Sequence, residues 1–210
     1  MARKILLLCN SPKAQRYFSA LRDNISTMDL SVEWIGVRGG PALAPGQTAA
    51  MAHYTMLRKR ARYSMSRWKL RWLQYMHERV AQWHYHSARA RIERLRPDAI
   101  GVWGGQSVDV KAAITAAADL GVPAYVFECG LLPGTTTCDP RGVNADNSVP
   151  RDAAFYANFT PLEGAELPQS LVPRRPRNVE AAVALPERYV FVPLQVRLDS
   201  QVLLYSPWVR

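Results

Sequence analysis

The 210-residue sequence lacks any apolar run of 18 residues, which excludes a membrane-spanning helix by length alone. Its one early apolar stretch, Ile5-Leu6-Leu7-Leu8-Cys9 behind Met-Ala-Arg-Lys, imitates a signal peptide. It is shorter than the roughly seven to fifteen residues that a secretory core needs, so a buried first strand is the better reading. Cysteine is scarce as well: Cys9, Cys129 and Cys138 form no C-x-x-C pair, and their odd number points to reduced thiols and a cytoplasmic protein. Zinc has no ligand set, because His84 and His86 point to different faces of a helix and Cys129 is too far from Cys138 for a knuckle. Acidic residues are nearly missing from residues 51–96, where 12 Lys and Arg meet only Glu78 and Glu93. The rest of the chain is electrically balanced, so the formal net charge of +10 belongs to that one segment. At 48% hydrophobic residues the chain has the composition of a folded globular protein, with length for about one and a half domains.

What is present reads as α/β. Residues 4–8 form a short buried strand, and Asn10-Ser11-Pro12 opens a helix whose Tyr17, Phe18, Leu21 and Ile25 share a face. Residues 31–37 alternate as a second strand, and Gly39–Gly46 is a loop. The basic segment carries Met65, Trp68, Trp72, Tyr75/Met76, Val80 and Trp83 at three- and four-residue steps, the mark of a helical stripe. As one helix its 46 residues would span about 70 Å, so two helices or a bent one are expected, closed by Pro97. A strand at 99–103, an alanine-rich helix at 108–120 and a strand at 124–127 then make a right-handed βαβ unit with parallel strands. Residues 161–186 hold five prolines and read as a Pro/Arg-rich linker; 189–194 reads as a strand opening a second α/β unit. The expected organisation is a Rossmann-like parallel-sheet domain over 1–160, the linker, and an incomplete start of a second domain over 187–210.

Ligands of open parallel sheets bind beyond the carboxyl ends of the strands. One such end is Gly104-Gly105-Gln106-Ser107, either an anion site on backbone N–H groups or a plain tight turn. The other is Glu128-Cys129-Gly130, followed by Asp139 in a loop rich in Gly, Thr and Pro. Two carboxylates in one cleft can divide acid/base and nucleophile roles; alternatively Glu128 pairs with Arg141 or Arg151 and merely orders the loop. The basic segment has three readings: a helix whose Trp stripe packs on the sheet, a contact with anionic membrane, or a nucleic-acid surface. The last ranks below the others.

The stretch Glu128-Cys-Gly-Leu-Leu-Pro-Gly-Thr-Thr-Thr-Cys-Asp139-Pro-Arg-Gly142-Val143-Asn144, with Pro150-Arg151-Asp152 and Phe155-Tyr156, resembles bacterial capsule polysaccharide biosynthesis proteins of the KpsS/KpsC type. Phe191-Val-Pro-Leu-Gln195-Val-Arg-Leu-Asp199-Ser200-Gln201, then Tyr205-Ser206-Pro207, is similar to a second signature of that family, and Trp103-Gly104-Gly105 to its first strand end. The resemblance implies a GT-B glycosyltransferase, of which this chain would be the N-terminal half, moving Kdo from CMP-Kdo with retention onto a lipid-linked saccharide or phospholipid. It needs no cofactor or metal. Glu128 and Asp139 would be the catalytic carboxylates, with Asp139 preferred as nucleophile. Gly104, Gly105, Gln106, Arg141, Asn144, Arg151, Gln195, Arg197, Asp199 and Gln201 would bind donor or acceptor. The protein would be cytoplasmic, peripheral at the inner face of the membrane through 51–96, with other capsule-assembly proteins as partners and no nucleic acid. The family's nucleotide-binding half is normally C-terminal, so this chain is expected to be truncated or completed by a partner. It is expected to have little or no transferase activity alone. A non-catalytic remnant that binds membrane or partner is the alternative.

Overall fold

The computed structural model describes residues 3–130, 132, 134–160, 186–188, 190, 196–206 and 208. The first apolar run forms β1 (Lys4–Cys9), followed by α1 (Pro12–Asn24) and β2 (Asp29–Trp34). Ser11 caps α1: its Oγ accepts the Ala14 N–H at 3.2 Å, and Pro12 takes the first turn, where its missing N–H costs nothing. Ser11→Ala is expected to lower stability by about 1 kcal/mol in chemical denaturation. An unchanged midpoint would show that the cap contributes nothing.

The basic segment forms two helices, α2 (Pro45–Arg62) and α3 (Arg67–Leu95), as its length requires. Arg96 stops α3 in the left-handed region (φ 47°), because the residue before Pro97 cannot continue the helix. There follow β3 (Ala99–Trp103), α4 (Val108–Asp119), β4 (Ala124–Cys129), β5 (Thr136–Asp139), a 3-10 turn at Asn144–Asp146, α5 (Ala153–Ala157) and α6 (Ser200–Tyr205).

The five strands lie in the order β2-β1-β3-β4-β5, an α/β Rossmann-like sheet in which β1 to β4 are parallel. β5 departs from the expected loop. It pairs antiparallel with β4, setting Asp139 opposite Val126 and Thr137 opposite Glu128.

The continuous apolar runs serve both faces of the sheet, because alternate side chains point to opposite sides. Leu6, Leu8, Ile100, Val102 and Val126 pack against Ala81, Tyr85, Ala88 and Ile92 of α3 and the alanines of α4. Leu7, Cys9, Leu30 and Trp103 meet Ala14 and Phe18 of α1, and Tyr17, Leu21 and Ile25 extend that cluster as their spacing foretold.

Polar side chains of α3 fix the loop before α2. The buried Gln82 donates to the Gly40 and Pro41 carbonyls, His86 bonds Pro41 O and His84 bonds Gly36 O. Arg91 and Arg94 both pair with Glu33 on β2, at 3.0 and 2.7 Å.

The Trp stripe does not pack on the sheet as a whole. Val80 joins the core, but Trp68 and Trp72 are 72% and 55% exposed. Residues 161–185, nearly all of the expected linker, lie outside the described residues, as does the strand expected over 189–194 apart from Val190. Residues 196–206 carry α6 against α2, where the Tyr54 hydroxyl donates to Leu198 O at 3.2 Å.

Candidate active site

The chain leaves β1 for β2 on one side and returns to β3 on the other, so the carboxyl ends of β1 and β3 flank a crevice at the sheet's switch point. Asn10 follows β1 there, and its Nδ2 donates to Ser107 Oγ across the crevice at 3.4 Å. Asn10 Oδ1 is buried without a hydrogen-bond partner among the described residues. Lys13, in the first turn of α1, places Nζ 2.9 Å from Cys129 Sγ and 4.9 Å from the Trp103 ring centre. Neither Asn10 nor Lys13 is singled out by sequence, since both gain their position from strand order. The only signal was their place directly after a buried strand.

The Gly104-Gly105 pair turns the chain sharply after β3. Gly104 sits at φ 74°, where a side chain would strain the backbone, and its N–H donates to Phe127 O. Gly105 lies against Val143: a Cβ there would stand 3.3 Å from the valine methyl. Asp109 in the first turn of α4 places a carboxylate at the helix end where an anion would bind, which opposes the anion-site reading.

β4 and β5 bring the two predicted carboxylates together. In the antiparallel register they are diagonal neighbours on one face, a relation that sets Cα atoms about 7–8 Å apart. Both line a single cleft of about 560 Å³ with Cys129, Gly142, Asn144 and Asn147.

Their environments differ sharply. Asp139 is buried, and four donors converge on it: the Arg141 and Gly142 N–H groups on Oδ1 (2.7 and 3.0 Å), and the Ser148 N–H and hydroxyl on Oδ2 (2.9 and 2.6 Å). Burial pushes its pKa up, but the bonds from Ser148, Arg141 and Gly142 together outweigh it and hold the carboxyl at about 2. Asp139 is therefore ionised at neutral pH and cannot serve there as a proton donor. It also shapes the loop after β5. A Cβ on Gly142 would come within 2.6 Å of Asp146 Cβ, so only glycine fits that turn.

Glu128 is half-buried, and among the described residues its carboxylate accepts one hydrogen bond, from the Cys129 N–H to Oε1 at 2.9 Å. Among the described residues it forms no ion pair with Arg141 or Arg151. Arg151 instead donates to the Ala145 carbonyl at 2.7 Å and to Asn147 Oδ1 at 3.3 Å, and the Arg141 side chain is exposed.

The other predicted residues divide. Asn144, at φ 55°, borders the carboxylate cleft. Gln106 faces the opposite side of the 3-10 turn, where its Nε2 donates to Asp146 Oδ2 at 2.9 Å. It shares a second hollow there with His53, Lys111 and Tyr205. Burial and a bond to Asp146 push the Tyr205 hydroxyl to about 12. Asp199 caps α6 through the Gln201 N–H at 2.8 Å, Gln201 lies on α6 itself and Arg197 is exposed. Gln195 lies outside the described residues.

Residues 98–183 match the family described as capsule polysaccharide biosynthesis protein. Protein FixF of Sinorhizobium fredii (strain NBRC 101917 / NGR234) is 41% identical over 98 residues, 47% of this chain. The chain spans about a quarter of that relative, 24% of its length. No solved structure matches. The matched segment begins just before β3 and contains Glu128, Asp139, Asn144 and Arg151; residues 189–207 fall beyond it.

Proposed function

Because residues 98–183 match the family described as capsule polysaccharide biosynthesis protein, we propose that this chain is the acceptor-side α/β domain of a glycosyl-transfer enzyme. In this reading the complete enzyme has the GT-B architecture and passes Kdo from CMP-Kdo to a lipid-linked saccharide or phospholipid. It works in the cytoplasm, at the inner face of the membrane, beside other capsule-assembly proteins. The observation that carries the proposal is the pair of carboxylates on one face of β4 and β5, lining one cleft with different sets of hydrogen-bond donors.

Glycosyl transfer needs one carboxyl that exchanges a proton and one that stays charged beside the developing cationic sugar. Glu128, with one hydrogen bond to its own backbone neighbour, has the freedom for the first task. Asp139 has the fixed ionisation that the second requires, whether it attacks the sugar or stabilises its positive charge. The donor brings a phosphate and a sugar carboxylate, and exposed Arg141 and Arg197 supply guanidinium groups that can neutralise them without a metal. Asn144 borders the cleft where acceptor hydroxyls would lie. Arg151 braces the backbone carbonyls of that turn.

The test is titration of the isotope-labelled chain with a Kdo-terminated glycolipid headgroup and, separately, with CMP-Kdo, read by NMR. The headgroup is expected to shift resonances of Glu128, Asn144 and their neighbours. The nucleotide sugar is expected to bind weakly, because its site belongs to the other half of such an enzyme. Absence of any perturbation by either compound would remove the proposal.

A further inference from the structure

The far end of the α2–α3 hairpin takes no part in the site. α3 runs back along the sheet from β3, and its buried residues begin only at Ala81. The 13 residues from Arg67 to Arg79 extend about 20 Å beyond Val80, with Leu70, Leu73 and Met76 half-buried and none fully buried. Because α3 is antiparallel to β3, this overhang projects past the carboxyl edge of the sheet, the edge at which the carboxylate cleft opens.

The overhang is apolar in the wrong place for a solvated helix. Trp68, Trp72 and Tyr75, at steps of four and three, lie on one helical face and are 72%, 55% and 59% exposed. Tyr63, 47% exposed in the connection between the helices, adds a fourth ring, with Lys59 and Arg62 within 5.8 and 5.4 Å of its centre. Residues 58–72 contain seven Lys and Arg and no acid.

We infer that the tip of this hairpin docks on an anionic lipid bilayer, seating the Trp68–Trp72–Tyr75 face at the headgroup level between its cations. Amphipathic rings favour the interface between water and hydrocarbon, and cations are drawn to anionic headgroups. The shape decides against nucleic acid. Base stacking on a single strand uses a groove or platform that encloses the backbone, whereas here the rings form a ridge on a projecting helix, complementary to a flat surface. Docking by the tip turns the carboxyl edge of the sheet toward the bilayer. Its use in presenting a lipid-linked acceptor rests on the glycosyl-transfer reading; the docking itself does not.

The experiment is flotation of the whole chain with vesicles of phosphatidylcholine and phosphatidylglycerol, and with pure phosphatidylcholine. No glycolipid is present, so the outcome is independent of the enzymatic proposal. Binding to the anionic vesicles is expected to exceed binding to neutral ones by tenfold or more and to weaken with salt, on the order expected for several cations. Replacing Arg67, Lys69 and Arg71 together by glutamine is expected to weaken it roughly a hundredfold, about fivefold per cation. W68A/W72A is expected to reduce it about tenfold with an unchanged unfolding temperature, since both rings are exposed. Equal binding to both vesicle types, or no loss in either variant, would overturn the inference. So would preference for a single-stranded oligonucleotide over anionic vesicles, or a self-associated chain that W68A/W72A converts to monomer.

Discussion

Asp139→Asn is expected to destabilise the domain by roughly 2–4 kcal/mol at neutral pH and to remove part of its acid sensitivity. The carboxylate satisfies three backbone N–H groups and the Ser148 hydroxyl. An asparagine can keep its oxygen toward Arg141 and Gly142, but its amide group then meets the Ser148 N–H, donor against donor. Charge-assisted bonds are lost and the Ser148 N–H is left without its carboxylate acceptor.

The sign of the pH dependence follows from the folded carboxyl being depressed, from 3.8 to about 2. A depressed carboxyl stabilises the fold fully above its unfolded pKa and loses that contribution as pH falls through the folded value. The window is therefore pH 4 down to 2, with about 2 kcal/mol at stake. Urea unfolding at pH 7, 4 and 2.5 measures it. The gap between wild type and Asp139→Asn should narrow with acid; a gap that stays constant would show that the charge of Asp139 is not what holds the loop.

Glu128→Gln should separate chemistry from stability in the opposite sense. Its Oε1 accepts one N–H from an adjacent residue, a bond that glutamine's carbonyl oxygen reproduces, so the fold should change by less than about 0.5 kcal/mol. In a full-length family member carrying the same Glu–Asp pair, the equivalent change should lower the rate of transfer by 10²–10⁴, the usual worth of a positioned acid/base. The loss should fall on kcat, with acceptor affinity nearly retained. Turnover within a factor of about two of the parent would eliminate the proton-transfer role.

Much of the path to these residues is legible in local pattern. The apolar runs announce β1, β3 and β4, Pro12 after Ser11 announces a capped helix, and Pro97 ends the long one. β5 is not legible, because Thr136-Thr137-Cys138-Asp139 follows a stretch of sequence that contains glycine and proline and carries no hydrophobic alternation. Its strand character comes from pairing with β4. The same pairing turns Asp139 from a loop residue into a partner of Val126 beside Glu128. The fate of the Trp stripe is equally hidden. A spacing of three and four residues fixes which side chains share a face, but how far along α3 the sheet and α4 reach determines where burial begins.

The sequence alone therefore determined the class of fold and the position of the cationic segment within residues 51–96, and it marked Glu128 and Asp139 as candidates. Each follows from short-range order: periodicity, composition and residues near a strand end. Tertiary structure decided the rest. Strand order created the switch-point crevice of Asn10 and Lys13, antiparallel pairing set Glu128 and Asp139 on one face, and converging N–H groups fixed the charge of Asp139 while Glu128 accepts one bond from its neighbour Cys129. It also decided which aromatics of α3 face solvent, because a 29-residue helix is longer than the strands that it covers.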